Sequence, residues 1–322
     1  MMRSETVSIP VLAQAGRLYS AEATADELSA QPFLFGAFPG DRPKAELSGL
    51  PSDPNPITRY IFHTAFCCST LLARALDVPG QNLSLKEPDI LMQLANAQRM
   101  NAAEGQVGFL RRVEAGLFDI GKALNETIVV KPTNAANRLA PDMLANPNSR
   151  AIVIHSDLRS FLLSIARKGE EGRVFCRRLF NIFRMDNVFA GAQSERDLLT
   201  LTDFQIAALV WAMQCEQLNA AAQRTPDRVR AIHCDDFLKA PESVLRQVSA
   251  FLGLSLNDAL IEEICQSDVF RKDAKDDAQG YDAGVRQQDR AEALSQFEKP
   301  ISITEDWAAK LPLPLTLTIQ PL

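Results

Sequence analysis

The sequence has few of the residues that form disulfides or metal sites: six cysteines and three histidines among 322 residues. The cysteines follow no metal-binding spacing and the histidines are far apart in the chain, so the sequence predicts neither a disulfide framework nor a zinc site. We expect reduced thiols, as in a cytoplasmic protein. The neighbouring Cys67 and Cys68 leave open a strained vicinal disulfide.

Long apolar runs and an excess of positive charge are also lacking. No run approaches the roughly 18 apolar residues of a membrane span. Residues 1–20 have no apolar core after positive charge, so no signal peptide is predicted. A net charge of −6 argues against a general nucleic-acid-binding protein, which needs a basic surface. This charge is still compatible with a local basic pocket.

The pattern that is present is an alternation of short apolar runs and long helical stretches. Short buried strands separated by helices are typical of βαβ units. The sequence therefore predicts an α/β protein in three layers, with a central parallel sheet of about five strands flanked by helices. The predicted strands are Thr58–His63, Asn82–Leu85, Thr127–Lys131, Ala151–His155 and Arg228–His233. The clearest predicted helices are 90–124, 173–190 and 203–223, and residues 241–253 are predicted to form another.

The chain before the first predicted strand has a different composition. Residues 1–56 are predicted to be irregular, with proline and glycine recurring in residues 31–40 and 50–56. We interpret residues 1–56 as an N-terminal extension that packs on the core through phenylalanines and leucine near residue 35. Residues 57–322 would then form the α/β domain.

The most informative stretch is residues 59–76, which predicts a strand, a tight loop and a helix that begins at Ser69 and Thr70. Backbone N–H groups of such a loop and helix start converge on a place that favours an anion. An ordinary strand-to-helix turn with a Ser/Thr cap is the alternative. The stretch is not a nucleotide P-loop, because His63, Cys68 and Ser69 stand where that motif has Gly, Gly and Lys. A kinase or NTPase that uses a P-loop lysine is therefore disfavoured.

Charged residues follow the second and third predicted strands. Glu87 precedes Pro88, a position that favours extended backbone, and its carboxylate is a candidate general base. Lys131 ends the third strand and is a candidate ligand of phosphate or sulfonate oxygen. An exposed pair of Lys86 and Glu87 on a loop is the alternative. Ligands of parallel sheets bind at these carboxyl ends of the strands.

The run Ala65–Leu72 resembles the 5′-phosphosulfate loop of sulfotransferases, particularly the bacterial variants that end in Ser-Thr-Leu-Leu. The family has a basic residue where this chain has Phe66 and a glycine where it has Cys68. The resemblance implies a P-loop-like nucleotide hydrolase fold. It also implies that Phe66, Cys67, Cys68, Ser69 and Thr70 form the loop that holds the 5′-phosphate of the donor.

Further stretches resemble the same family in the same order. The run from His155 to Ser164 is similar to the element that binds the donor's 3′-phosphate, with Arg159 and Ser164 as the matching ligands and Ser156 in place of an arginine. Residues 232–255 are similar to the strand and helix that follow. Residues 270–286 resemble the basic loop that closes on the cofactor, with Lys275 as a ligand. Together the matches cover roughly residues 57–290.

The resemblance implies transfer of a sulfonyl group from 3′-phosphoadenosine 5′-phosphosulfate to a hydroxyl or amine acceptor, which would be a small molecule, a carbohydrate or a lipid. Glu87 would take the acceptor's proton and Lys131 would stabilise the bridging oxygen, with no metal. Phe66 removes one cation from the loop. The alternative is therefore a catalytically impaired protein that binds a nucleotide or a sulfated ligand on the same fold. The acceptor and the oligomeric state stay open.

Overall fold

A computed structural model describes residues 4–36, 38–39, 41–47, 55–186, 199–272 and 283–322, of which 283–290 are described by their backbone alone. The strands are β1 Thr6–Gln14, β2 Arg17–Thr24, β3 Lys44–Glu46, β4 Thr58–His63, β5 Asn82–Lys86, β6 Thr127–Lys131, β7 Ser149–His155 and β8 Val229–His233. The helices are α1 Ala25–Ala30, α2 Ser69–Ala75, α3 Asp89–Arg99, α4 Val107–Leu124, α5 Ala140–Leu144, α6 Leu158–Arg167, α7 Gly169–Arg184, α8 Asp203–Gln223, α9 Cys234–Lys239, α10 Pro241–Leu252, α11 Asp258–Gln266 and α12 Ala283–Ala308.

Five parallel strands form the central sheet in the order β5-β6-β4-β7-β8. β4, the first of them in sequence, lies in the middle and runs through a short loop into α2. The predicted sheet is confirmed, with all five strands within two residues of their predicted ends. The strands are found where they were predicted because both faces of a parallel sheet are buried, which selects continuous runs of Val, Ile and aromatic residues.

Helices cover both faces of this sheet and make three layers. Tyr60 and Phe62 point into one core, which they share with α3 and α4, while Ile61 points into the opposite core with α2 and α10. A third apolar cluster joins α6, α7, α8 and α12 beyond the carboxyl end of the sheet. The chain end closes the far edge, since the N–H of Ala231 donates to the carbonyl of Gln320 at 2.9 Å. Pairing of this kind protects a sheet edge.

The sequence predicted an irregular N-terminal segment, and this prediction is wrong. The segment folds into a three-stranded antiparallel sheet in the order β1-β2-β3. Val7, Ile9 and Val11 are buried in the same core as Tyr60. The register shifts between Pro10 and Leu12, which lets the strand pass a proline that lacks a ladder donor. Alternating apolar residues indicate this strand in the sequence. The boundary at residue 56 stays a prediction.

The predicted helix 90–124 is two helices, α3 and α4, joined by a short 3₁₀ turn at Ala103–Gly105. Asn101 takes a φ of 51°, and a Cβ on Gly105 would lie 2.5 Å from the backbone nitrogen of Gln98. The chain therefore doubles back against the end of α3. This close backbone approach needs a residue without a side chain. Among the described residues, no helix is long and apolar enough to cross a membrane.

Candidate functional site

The carboxyl ends of β4, β5 and β6 bring together three ionisable residues that are far apart in the sequence: His63, Glu87 and Lys131. Lys131 donates a hydrogen bond to Glu87, and the same carboxylate oxygen lies 3.9 Å from Nε2 of His63. The side chain of Lys131 is 1% exposed and that of Glu87 is 16% exposed. The sheet thus places a buried cation beside a carboxylate that water still reaches.

Glu87 does not adopt the extended backbone that a following proline predicts. Its φ is +58°, in the left-handed region that a residue with a side chain rarely enters. Its N–H donates to the carbonyl of Lys131 at 2.6 Å, so it still continues the β5–β6 ladder before the chain turns. Non-glycine residues keep such a conformation where the surrounding structure holds them, often at functional sites. Here the hydrogen bonds from Lys131 and to Lys131 hold Glu87 from both sides.

Lys86 and Glu87 are not an exposed pair on a loop. Lys86 is buried, and its ammonium lies 3.2 Å from Asp77 and 2.8 Å from the carbonyl of Ser29. Lys131 is therefore the lysine that accompanies Glu87.

The N-terminal segment contributes to this edge, which the sequence did not reveal. The N–H of Leu34 donates to the carbonyl of Lys86 at 2.6 Å, and the N–H of Asp89 donates to the carbonyl of Leu34 at 3.0 Å. These two bonds bracket Glu87. The ring of Phe33 lies 5.6 Å from the ammonium of Lys131, within the range of a cation–π interaction.

The loop between β4 and α2 has a backbone that is unusual for its sequence. Ala65, Phe66 and Cys68 all have positive φ values, of 63°, 50° and 62°. Loops that combine left-handed and right-handed residues form concave nests of N–H groups that bind anions. α2 begins at Ser69 as predicted, but its N-cap is Cys68 and no side chain caps it. The structure therefore does not show the Ser/Thr cap that the alternative of an ordinary strand-to-helix turn requires.

The side chains of the loop face different surroundings. The ring of Phe66 packs against Phe175 and Phe161, with centroid distances of 5.3 and 6.1 Å. Cys67 is buried, which raises the pKa of its thiol to about 11. Cys67 and Cys68 are both free thiols, so they form no vicinal disulfide. Phe66 thus completes an aromatic cluster at the position of the family's cation.

The end of β7 carries the residues that resemble a 3′-phosphate element. Asp157 caps α6, where the N–H of Ser160 donates to its carboxylate at 2.6 Å. Ser164 donates its hydroxyl to the carbonyl of Ser160 at 2.9 Å. The hydroxyl of Ser156, which replaces the family's arginine, is buried and has no hydrogen-bond partner among the described residues.

Arg159 is paired in this structure. Its guanidinium forms two hydrogen bonds with Glu305 of α12, at 2.6 and 3.3 Å, and this pairing raises the pKa of the arginine. Its side chain is 38% exposed, so solvent and ligands can reach the pair. Lys275 lies outside the described residues.

All three histidines of the chain end a strand at the same edge of the sheet: His63 on β4, His155 on β7 and His233 on β8. They are scattered in the sequence but not in space, because His155 and His233 are paired in register and their ring centroids are 5.2 Å apart. Burial lowers the pKa of His155. Strand ends predicted from hydrophobicity indicate this grouping once the sheet order is known.

Several solved structures that the chain resembles are sulfotransferases. The sulfotransferase domain from the curacin biosynthetic pathway is 16% identical and matches with a TM-score of 0.43 over 76% of this chain and 98% of its own. The sulfotransferase domain from the Synechococcus PCC 7002 olefin synthase is 18% identical, with a TM-score of 0.43 over 82% of this chain and 99% of its own. A sulfotransferase from Mycobacterium avium is 12% identical, with a TM-score of 0.40 over 76% of this chain and 78% of its own. No protein-family model and no curated protein matches the chain.

Proposed function

We propose that the protein transfers a sulfonyl group from 3′-phosphoadenosine 5′-phosphosulfate to a hydroxyl or amine of an acceptor. The observation that carries this proposal is the pair of Glu87 and Lys131 at the carboxyl edge of the sheet, beside the left-handed loop after β4. A partly exposed carboxylate and a buried ammonium next to an anion-binding loop match the needs of in-line transfer between two oxygens. The sequence of this loop also resembles the 5′-phosphosulfate loop of sulfotransferases.

In the proposed reaction Glu87 accepts the proton of the acceptor hydroxyl while the acceptor oxygen forms a bond to sulfur. The bond between sulfur and the bridging oxygen breaks, and the electron pair stays on the 5′-phosphate of the leaving nucleotide. Lys131 is the cation nearest to Glu87 by its hydrogen bond and would stabilise the charge that develops on that oxygen. A preorganised charge in a site with little water is worth far more than the same charge in water.

The loop between β4 and α2 would bind the 5′-phosphate of the donor. Backbone N–H groups of Phe66, Cys67 and Cys68, with the hydroxyls of Ser69 and Thr70, would hold the 5′-phosphate. The N–H of Ala65 is already used, since it donates to His63. Phe66 would take part through its backbone alone, because its ring belongs to the aromatic cluster.

Arg159, Ser164 and Lys275 would hold the 3′-phosphate of the donor. Arg159 would exchange Glu305 for the phosphate, a change of partner that its exposure permits. Charge-assisted hydrogen bonds from arginine to phosphate are among the strong polar contacts of proteins. This exchange makes binding of the nucleotide sensitive to Glu305.

The test follows labelled sulfate from 3′-phosphoadenosine 5′-phosphosulfate onto a panel of phenols, sugars and lipids. We expect Glu87→Gln to lower the rate by about 10²–10⁴, the usual contribution of a general base. The matched control is Asp77→Asn, because Asp77 pairs with Lys86, a lysine that is as deeply buried as Lys131. That variant should keep the wild-type rate per folded molecule. Full activity of Glu87→Gln would exclude Glu87 as the base, and tight nucleotide binding without transfer would favour the binding-protein alternative.

A further inference from the structure

We propose that His63 is a positioning residue that holds the loop after β4 in its anion-binding conformation through one ring nitrogen. The inference rests on the proposed function, because it assigns a role within the same site. His63 is the last residue of β4 and is 4% exposed. Its position precedes the run that resembles the 5′-phosphosulfate loop, and no role is given to it by that resemblance.

The two ring nitrogens of His63 have different partners, and these partners fix the tautomer. Nδ1 accepts the N–H of Ala65 at 3.2 Å, so Nδ1 carries no proton. Nε2 lies 3.1 Å from the carbonyl of Pro132, which can only accept, so Nε2 carries the proton and donates it. The ring therefore acts as an acceptor toward the loop after β4 and as a donor toward the loop after β6.

The bond to Ala65 sits where the backbone needs support. It joins residue i to the N–H of residue i+2, the same connection that Asn and Asp side chains make in an Asx turn. Ala65, which donates this bond, and Phe66 after it both adopt left-handed conformations that side chains disfavour. A buried acceptor aimed at the N–H of Ala65 stabilises this turn at its first left-handed residue.

His63 also connects the loop to the reacting groups. The carbonyl of Pro132, which accepts from Nε2, follows Lys131 directly in the chain. The carbonyl of His63 accepts from the side chain of Asn137 at 3.1 Å, and Nε2 lies 3.9 Å from Glu87. One buried ring thus sets the loop that would hold the phosphate relative to the pair that would act on the acceptor.

The same device occurs once more in the sheet and provides a control. Nδ1 of His233 at the end of β8 accepts the N–H of Asp235 at 3.3 Å, again from residue i to residue i+2. There the turn leads into α9, and Asp235 is not among the residues with positive φ. A variant that lacks this bond, His233→Leu, shows how much such a bond contributes to the free energy of unfolding where no anion-binding loop is involved.

The experiment compares His63→Leu, which has no acceptor, with His63→Asn, whose side chain can make the Asx-turn bond. In calorimetric titration, His63→Leu should bind 3′,5′-phosphoadenosine at least about tenfold more weakly than the wild type. His63→Asn should bind it with an affinity within about threefold of the wild type. Unfolding of His63→Leu and His233→Leu in urea gives the loss of stability that each bond causes. A drop in affinity for His63→Leu beyond its loss of folded protein, rescued by Asn, supports positioning of the loop. Equal affinity of the wild type, His63→Leu and His63→Asn overturns the proposal. An equal loss of affinity in His63→Leu and His63→Asn overturns it as well.

Amide hydrogen exchange keeps the test independent of the nucleotide. The N–H of Ala65 should be protected in the wild type and in His63→Asn, and should exchange faster in His63→Leu. If the wild type binds no nucleotide but this pattern holds, the proposed function fails while the hold of His63 on the loop stands. If the N–H of Ala65 exchanges at the same rate in all three proteins, the proposal for His63 is wrong whatever the protein binds.

Discussion

Separating Glu87 from Lys131 should destabilise the fold unequally, depending on which partner is removed. Glu87→Gln leaves an ammonium in a place where the lysine side chain is 1% exposed, while Lys131→Met leaves a carboxylate that is 16% exposed and can gain water. Removing one partner of a buried ion pair costs about 3–5 kcal/mol because the other charge stays uncompensated. We therefore expect about 3–5 kcal/mol for Glu87→Gln and a smaller loss, about 1–3 kcal/mol, for Lys131→Met.

The double variant Glu87→Gln/Lys131→Met removes both charges and should be more stable than the sum of the single losses predicts. Coupling between residues in direct contact is about 0.5–3 kcal/mol, and we expect a value in the upper half of this range. Urea unfolding followed by circular dichroism gives the three free energies of unfolding. Asp77→Asn, which leaves the 1% exposed Lys86 without its carboxylate, is the matched control and should resemble Glu87→Gln in stability.

Two results would refute this reasoning. Additive losses in the double variant would show that Glu87 and Lys131 do not interact in solution. A larger loss for Lys131→Met than for Glu87→Gln would show that the carboxylate, and not the ammonium, is the more deeply buried charge. Additive losses would also remove the paired site on which the proposed reaction depends.

Four further outcomes are expected. Glu305→Gln should free Arg159 and strengthen 3′,5′-phosphoadenosine binding up to about fivefold in calorimetry, as for other exposed ion pairs; unchanged affinity would remove Arg159 as a ligand. Cys68→Gly should be neutral or stabilising by up to about 1 kcal/mol in urea unfolding, because glycine adopts a φ of 62° freely; a clear loss would contradict the left-handed N-cap. Cys67 should resist alkylation at pH 8 in mass spectrometry, since its thiol pKa is about 11. Thr70→Ala should weaken nucleotide binding by about 1–3 kcal/mol, more than it lowers stability, if its hydroxyl meets a phosphate.

The central sheet could be predicted from the sequence because burial on both faces leaves a strong local signal. β4 was predicted with its observed bounds, Thr58–His63. The N-terminal sheet was missed because its alternation of apolar residues is interrupted by Pro10 and followed by a proline-rich segment. A period of two with one proline indicates an edge strand with a bulge, and this signal was available.

The candidate site could be predicted only as residue types at strand ends. Glu87 and Lys131 were expected at one edge, and the register that pairs Lys86 with Lys131 explains why they meet. The left-handed backbone of Glu87 could not be predicted, since the local preference before proline points elsewhere and tertiary hydrogen bonds overrule it. The pairing of Arg159 with Glu305 joins residues 146 positions apart, a separation at which sequence patterns carry no signal.

The measurement that tests the central claim most directly is calorimetric titration of the full chain with 3′,5′-phosphoadenosine and, separately, with AMP. The proposed site has a loop for the 5′-phosphate and Arg159 and Ser164 for a 3′-phosphate, and AMP lacks the second group. We predict tighter binding of 3′,5′-phosphoadenosine, by about tenfold or more for one charge-assisted phosphate contact of about 1.5–3 kcal/mol. Equal affinity for the two nucleotides, or no binding of either, would contradict the proposal that the protein transfers sulfate from 3′-phosphoadenosine 5′-phosphosulfate.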